Sequence, residues 1–206
     1  MKKILLLCCL NSMAFAEENY MARFNTLNSQ LNGTISGSAT LYFKDDVFKS
    51  YVRFFAGYPD TWHMQNIFTG NRCPTVEDDL NQDGHIDIVE AYQVLGKIII
   101  PLDGDINSQA GGNNIFPLGD AWGSYSYEKE ANEKSFLRDL KSSDPNPDDN
   151  IVKLGRDEKL NLNGRAVLIQ GISAQTILPE SVATTAGRPI HQTLPIACGI
   201  LSRTHK

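Results

Sequence analysis

The chain has 206 residues, of which 41% are hydrophobic and 21% charged, with a formal net charge of −5. That composition supports a proper buried core and excludes a disordered chain. The acidic balance excludes a nucleic-acid partner, because phosphate backbones are met by Lys and Arg.

The first sixteen residues read as an export signal. Lys2 and Lys3 form a basic start, residues 4–10 an apolar core, and Ala14-Phe15-Ala16 a small-x-small cleavage site, so the mature protein is expected to begin at Glu17. The apolar run is too short to span a bilayer. No later segment is long and apolar enough either, so no membrane insertion is expected and the product should be secreted or periplasmic. Without Lys2 and Lys3, residues 17–206 carry a formal charge of −7 and are expected to form a single domain. Cys8 and Cys9 leave with the signal. Cys73 and Cys198 remain, and in an oxidising compartment they are expected to pair.

Residues 17–32 are polar and predict only a strand or coil. From residue 34 the signals are β: residues 34–43, a turn at Lys44-Asp45-Asp46, and residues 47–55, rich in Val, Tyr and Phe, predict a hairpin. Gly57-Tyr58-Pro59-Asp60 breaks it. Residues 62–68 predict the next strand, running towards Cys73.

Residues 79–90, Asp-Leu-Asn-Gln-Asp-Gly-His-Ile-Asp-Ile-Val-Glu, then place an oxygen at each slot a calcium ion requires. Ca²⁺ takes six to eight oxygens, and a loop supplies them from positions 1, 3, 5, 7, 9 and 12 if it turns sharply at position 6. Those positions are Asp79, Asn81, Asp83, the backbone carbonyl of His85, Asp87 and Glu90, with Gly84 at the turn. The stretch resembles the EF-hand loop and the related loop of dockerin repeats. Ile88, Val89, Tyr92, Val94 and Leu95 predict an exiting helix stopped by Gly96. On the entering side Pro74 allows one turn at most. Sensors of this family open Met-rich grooves, whereas residues 17–206 contain only Met21 and Met64. A structural clamp is therefore expected rather than a sensor.

Residues 97–102 predict a strand, and residues 103–117, with Gly111-Gly112-Asn113-Asn114, a long loop. A strand follows at 123–128, a short helix at 132–140, an acidic Asp-Pro-Asn-Pro loop at 142–150, a buried strand within 160–172 and a final strand at 194–201. Many strands, long loops and few helices predict a mainly β protein, a β-sandwich or Greek-key barrel.

Three segments carry a further resemblance. Asn66-Ile-Phe68-Thr-Gly-Asn-Arg-Cys73 is similar to the segment of copper,zinc superoxide dismutases that joins the His-x-His copper ligands to the disulfide cysteine. Asn163-Gly-Arg-Ala-Val-Leu-Ile-Gln170 is similar to the strand ending in a further copper ligand, and Ile196-Ala-Cys198-Gly-Ile-Leu to the closing strand. The resemblance implies an eight-stranded Greek-key barrel with a Cys73–Cys198 bridge. It also removes the chemistry, because the copper positions hold Asn66, Phe68 and Gln170, and copper needs imidazole nitrogens. The family's active-site arginine has no counterpart in Thr193-Leu-Pro-Ile. His63 and His191 are expected to be surface or capping residues.

The expected function is that of a secreted, non-catalytic calcium-binding protein whose loop stabilises a superoxide dismutase-like sandwich with a binding or structural role, towards a protein or cell-surface partner. The alternatives are a metal-dependent enzyme of residual dismutase type and a dockerin-like adhesion module. Trp62, Trp122, Tyr125 and Tyr127 sit at spacings that suit either a recognition surface or the core, and the core is expected.

Overall fold

The computed structural model describes residues 17–107, 115–142, 150–185 and 187–204. The expected export signal, the Gly-rich centre of the long loop, most of the acidic loop and His205 lie outside them. Among the described residues ten strands form two five-stranded antiparallel sheets. In chain order they are β1 (Glu18–Arg23), β2 (Asn25–Thr26), β3 (Ser36–Lys44), β4 (Val47–Phe55), β5 (Gln65–Phe68), β6 (Ile98–Pro101), β7 (Tyr125–Asn132), β8 (Ala166–Gln170), β9 (Pro195–Ile200) and β10 (Ser202–Thr204). The first sheet runs β10-β1-β3-β4-β7 and the second β2-β9-β8-β5-β6.

The β3–β4 hairpin stands as its sequence predicts. Lys44 pairs with Val47, and Asp45 and Asp46 take φ of 51° and 62°. Two left-handed turn residues match the twist of the flanking strands, and Asp tolerates that region. The polar opening segment does become a strand. Tyr20 and Ala22 point inward from β1 while its backbone pairs with β3 and β10.

The expected barrel is corrected: the two sheets do not close on one another, and each ends in its own edge strands. The second sheet's edges are β2, only two residues long, and β6, which ends at Pro101. Short edges and proline both discourage pairing with another chain.

Two cores explain the two kinds of strand. Between the sheets pack the alternate inward residues of the first sheet, among them Leu41, Phe48, Val52 and Phe54, against Ile67, Val167, Ile169 and Ile196. On the outer face of the second sheet, Phe68, Ala166, Leu168 and Cys198 pack under Ile86, Ile88, Ala91 and Leu95. Strands β5, β6 and β8 are therefore buried on both faces, and β6 and β8 are apolar along most of their length. The cysteines are joined as expected: Cys73 and Cys198 form a disulfide with a Cα–Cα distance of 5.7 Å, closing a sequence separation of 125 residues. Beyond β7, the helix Glu133–Leu140 stacks Phe136 on Phe48 with ring centroids 4.2 Å apart.

Candidate metal centre

The segment over the second sheet's outer face begins with a single 3-10 turn, Val76–Asp78, which fits the short entrance that Pro74 predicts. Arg72 grips Asp78 with two bonds of 2.8 and 2.7 Å, and this pairing holds the Asp78 carboxyl down at about 2. Asp78 is thus committed to Arg72, and Asp79 opens the loop. At the far end the helix Ile88–Leu95 starts on Asp87, whose Oδ1 accepts from Val89 N (2.8 Å) and Glu90 N (3.0 Å), and it stops at Gly96, with φ of 69°.

Within the loop, side-chain oxygens are turned to backbone donors. Asp79 Oδ2 accepts from Gly84 N at 2.8 Å and its Oδ1 from Asp83 N at 3.2 Å. Asn81 Oδ1 accepts from Asp83 N at 2.9 Å. Asp83 Oδ1 accepts from His85 N, and Glu90 Oε1 reaches back to Leu80 N (2.7 Å) and Asn81 N (3.2 Å). Gln82 and Gly84 carry φ of 58° and 86°, so the turn comes where glycine supplies positive φ without strain. The His85 ring meets Gln30, with Nδ1 3.0 Å from Gln30 Nε2.

The loop is docked by residues that spacing did not mark. Asn28, itself left-handed at φ 50°, donates from Nδ2 to the carbonyls of Ile86 and Pro195 and accepts from Ile86 N at 2.8 Å. Gln30 donates to the Gly84 carbonyl. On the other side Ser181 Oγ donates to Asp83 Oδ2 (2.7 Å), Asn81 Nδ2 to the Ser181 carbonyl (3.2 Å) and Ala183 N to Asp87 Oδ2 (2.7 Å). Burial works to raise the Asp83 carboxyl, but the bonds from Ser181, His85 and Asn81 outweigh it and hold the group below its ordinary value.

No known protein-family model and no curated protein matches this chain.

Asp87 and Glu90 are 2% and 5% exposed. Among the described residues, none of Asp79, Asp83, Asp87 and Glu90 has an ion-pair partner. Nor, among those residues, does any group of three or more His, Cys, Asp or Glu side chains converge closely enough to hold a metal ion. The donor set still fits a hard cation. It contains carboxylate, amide and carbonyl oxygens and no sulfur, which is the choice of Ca²⁺ rather than of a transition metal.

Asn66, Phe68 and Gln170 are all buried in the second sheet. Asn66 pairs with Leu168 across β5 and β8, Phe68 packs on Tyr92 at 5.8 Å, and the Gln170 amide donates to the Thr193 carbonyl at 2.7 Å. His63 corrects the surface expectation. It is fully buried, with its ring 5.4 Å from Phe54 and 5.5 Å from Tyr125 and Nδ1 3.2 Å from the Gln170 carbonyl. Burial lowers its pKa, against the opposing pull of the Gln170 and Tyr58 backbone. His191 is half-buried and bonds the Thr176 carbonyl through Nε2 at 2.8 Å. Of the four aromatics, Tyr125 and Tyr127 are core, whereas Trp62 is 50% and Trp122 83% exposed.

Proposed function

We propose that this is an exported calcium-binding protein in which residues 79–90 hold one Ca²⁺ through Asp79, Asn81, Asp83, the His85 carbonyl, Asp87 and Glu90. One observation carries the assignment: Asp87 and Glu90 are buried carboxylates with no cation beside them among the described residues. Buried charge is costly unless paired, and a divalent ion would neutralise two carboxylates at once. Further support comes from the Asp79 carboxylate gathering Asp83 N and Gly84 N, which draws the first half of the loop around its first residue. Both oxygens of Asp87 and both of Glu90 accept from backbone N–H groups, so these carboxylates are hydrogen-bonded while still lacking a counter-charge among the described residues.

The role is structural. The ion would clamp the unit that covers the second sheet, and the sandwich beneath it is proposed to be of the superoxide dismutase kind with its copper chemistry lost. The Cys73–Cys198 bridge from the end of β5's segment to β9, and the burial of Asn66, Phe68 and Gln170 in one sheet, support that kinship. The test is a calcium titration of chelator-treated, oxidised residues 17–206 by calorimetry, with melting curves alongside. A hundredfold excess over the dissociation constant should add about 2.7 kcal/mol. Glu90→Ala should abolish most of the calcium-dependent rise in Tm. A rise of the same size in Glu90→Ala refutes the ligand set.

A further inference from the structure

Residues 181–183 meet the loop at 79–90 across sequence separations of 96 to 100 residues. Three bonds join them. Ser181 Oγ donates to Asp83 Oδ2 at 2.7 Å, Asn81 Nδ2 to the Ser181 carbonyl at 3.2 Å and Ala183 N to Asp87 Oδ2 at 2.7 Å. Asn81, Asp83 and Asp87 are the third, fifth and ninth positions of the loop. The first and twelfth, Asp79 and Glu90, are held from inside it, by the amides of Asp83 and Gly84 and of Leu80, Asn81 and Asp87. Half of the side-chain set is thus directed by the loop itself and the rest by this outside segment as well.

The segment has a fixed seat. Val182, between the two contacting residues, is 4% exposed and belongs to the core between the sheets. Val182 N donates to the Pro179 carbonyl at 3.2 Å, and the Thr184 and Thr193 hydroxyls meet at 2.8 Å, which ties the segment to the residues before β9. Each contact with the loop then orients an oxygen. With its Nδ2 on the Ser181 carbonyl, the Asn81 amide turns Oδ1 to Asp83 N inside the loop. Asp83 is held on Oδ2 by Ser181 and on Oδ1 by His85 N. Asp87 is held on Oδ2 by Ala183 and on Oδ1 by Val89 N and Glu90 N. A carboxylate offers about four lone-pair sites, so these bonds fix its direction and leave it able to ligate.

We infer that residues 181–183 are the outer wall of the calcium site, with Ser181 a positioning residue that sets the loop's affinity for Ca²⁺ and its preference for Ca²⁺ over Mg²⁺. The inference rests on the calcium reading given above. Partners that orient a ligand from outside govern how tightly a metal is held, and donors ordered in advance spare the ion the entropy of gathering them. Mg²⁺ demands a near-ideal octahedron at about 2.0–2.1 Å, whereas Ca²⁺ accepts looser geometry at about 2.3–2.6 Å. Side chains pinned from outside by a core-anchored segment resist drawing in around the smaller ion. Freed from Ser181, Asn81 and Asp83 can close on it.

The experiment titrates Ca²⁺ and Mg²⁺ by calorimetry into chelator-treated, oxidised residues 17–206 as wild type, Ser181→Ala and Ser181→Thr, with urea midpoints of the calcium-free proteins. Ser181→Ala should weaken Ca²⁺ roughly tenfold or more and weaken Mg²⁺ less. Its calcium-free midpoint should stay close to wild type, because Ser181 is exposed. Ser181→Thr keeps the hydroxyl and should restore the affinity. Calcium binding by the wild type with unchanged affinity in Ser181→Ala overturns this inference and leaves the calcium reading standing. No calcium binding by the wild type overturns both. Equal losses for the two ions overturn the claim of selectivity, and a calcium-free midpoint that falls in Ser181→Ala assigns the residue to folding and overturns its positioning role.

Discussion

Asn28 provides a test of how the loop is joined to the sandwich. Replacing it with Ala removes three hydrogen bonds, two donated to the carbonyls of Ile86 and Pro195 and one accepted from Ile86 N. Each is worth about 0.5–1.5 kcal/mol net, and a buried group left unpaired costs about 1–3 kcal/mol. Asn28 is 7% exposed, so water does not readily replace the lost partners. Ala at φ 50° adds a left-handed penalty of roughly 1 kcal/mol. Asn28→Ala should therefore lose about 3–5 kcal/mol. Asn28→Gly should recover only the left-handed part, and Asn28→Asp should keep the acceptor while losing both donated bonds. Urea unfolding followed by far-ultraviolet circular dichroism gives the midpoint and slope. A midpoint for Asn28→Ala equivalent to less than about 0.5 kcal/mol of loss, at unchanged slope, would refute the role assigned to this residue.

Removing the disulfide with Cys73→Ser and Cys198→Ser together should lower stability by about 2–5 kcal/mol, read as a fall in the urea midpoint. The long loop it closes puts the chain-entropy figure near the top of that range. His63 gives a pH signature. Its folded pKa lies below the ordinary 6.5, so the unfolded chain takes up the proton first as pH falls. Its contribution is complete above about pH 6.5 and declines below that value until the folded pKa is passed, where it levels off. Urea midpoints measured across that window should slope downward with acid in the wild type, and the slope should flatten in His63→Phe.

Local turns were legible in the sequence, and of the distant pairings only the Cys73–Cys198 bridge was. The Asp45-Asp46 turn and the loop at residues 79–90 are set by residues within a few positions of one another, so spacing alone locates them. Strand β1 is polar by composition and gains its order from partners on β3 and β10. Strand β10 follows β9 after one residue and crosses to the other sheet, a change of direction no periodicity records. Asn28, Ser181 and Ala183 reach the loop from far along the chain, two of them through groups every loop possesses: a hydroxyl and a backbone amide. His63 looked like a surface residue because polar type usually predicts exposure; Phe54 and Tyr125 enclose it instead. A cleft beside Arg188 needed the fold to bring residues 62–66, 115–116 and 188–192 together.

The apolar outer face of the second sheet has a colloidal consequence. Phe68, Ala166 and Leu168 face the loop and its helix rather than water. Any condition that lifts that unit away, such as reduction of the bridge or loss of loop order, uncovers a flat hydrocarbon surface on an otherwise folded sandwich. Such surfaces pair with one another. The reduced, chelated protein should therefore sediment as concentration-dependent assemblies before its sheets unfold, making the unit a guard of solubility as much as of stability.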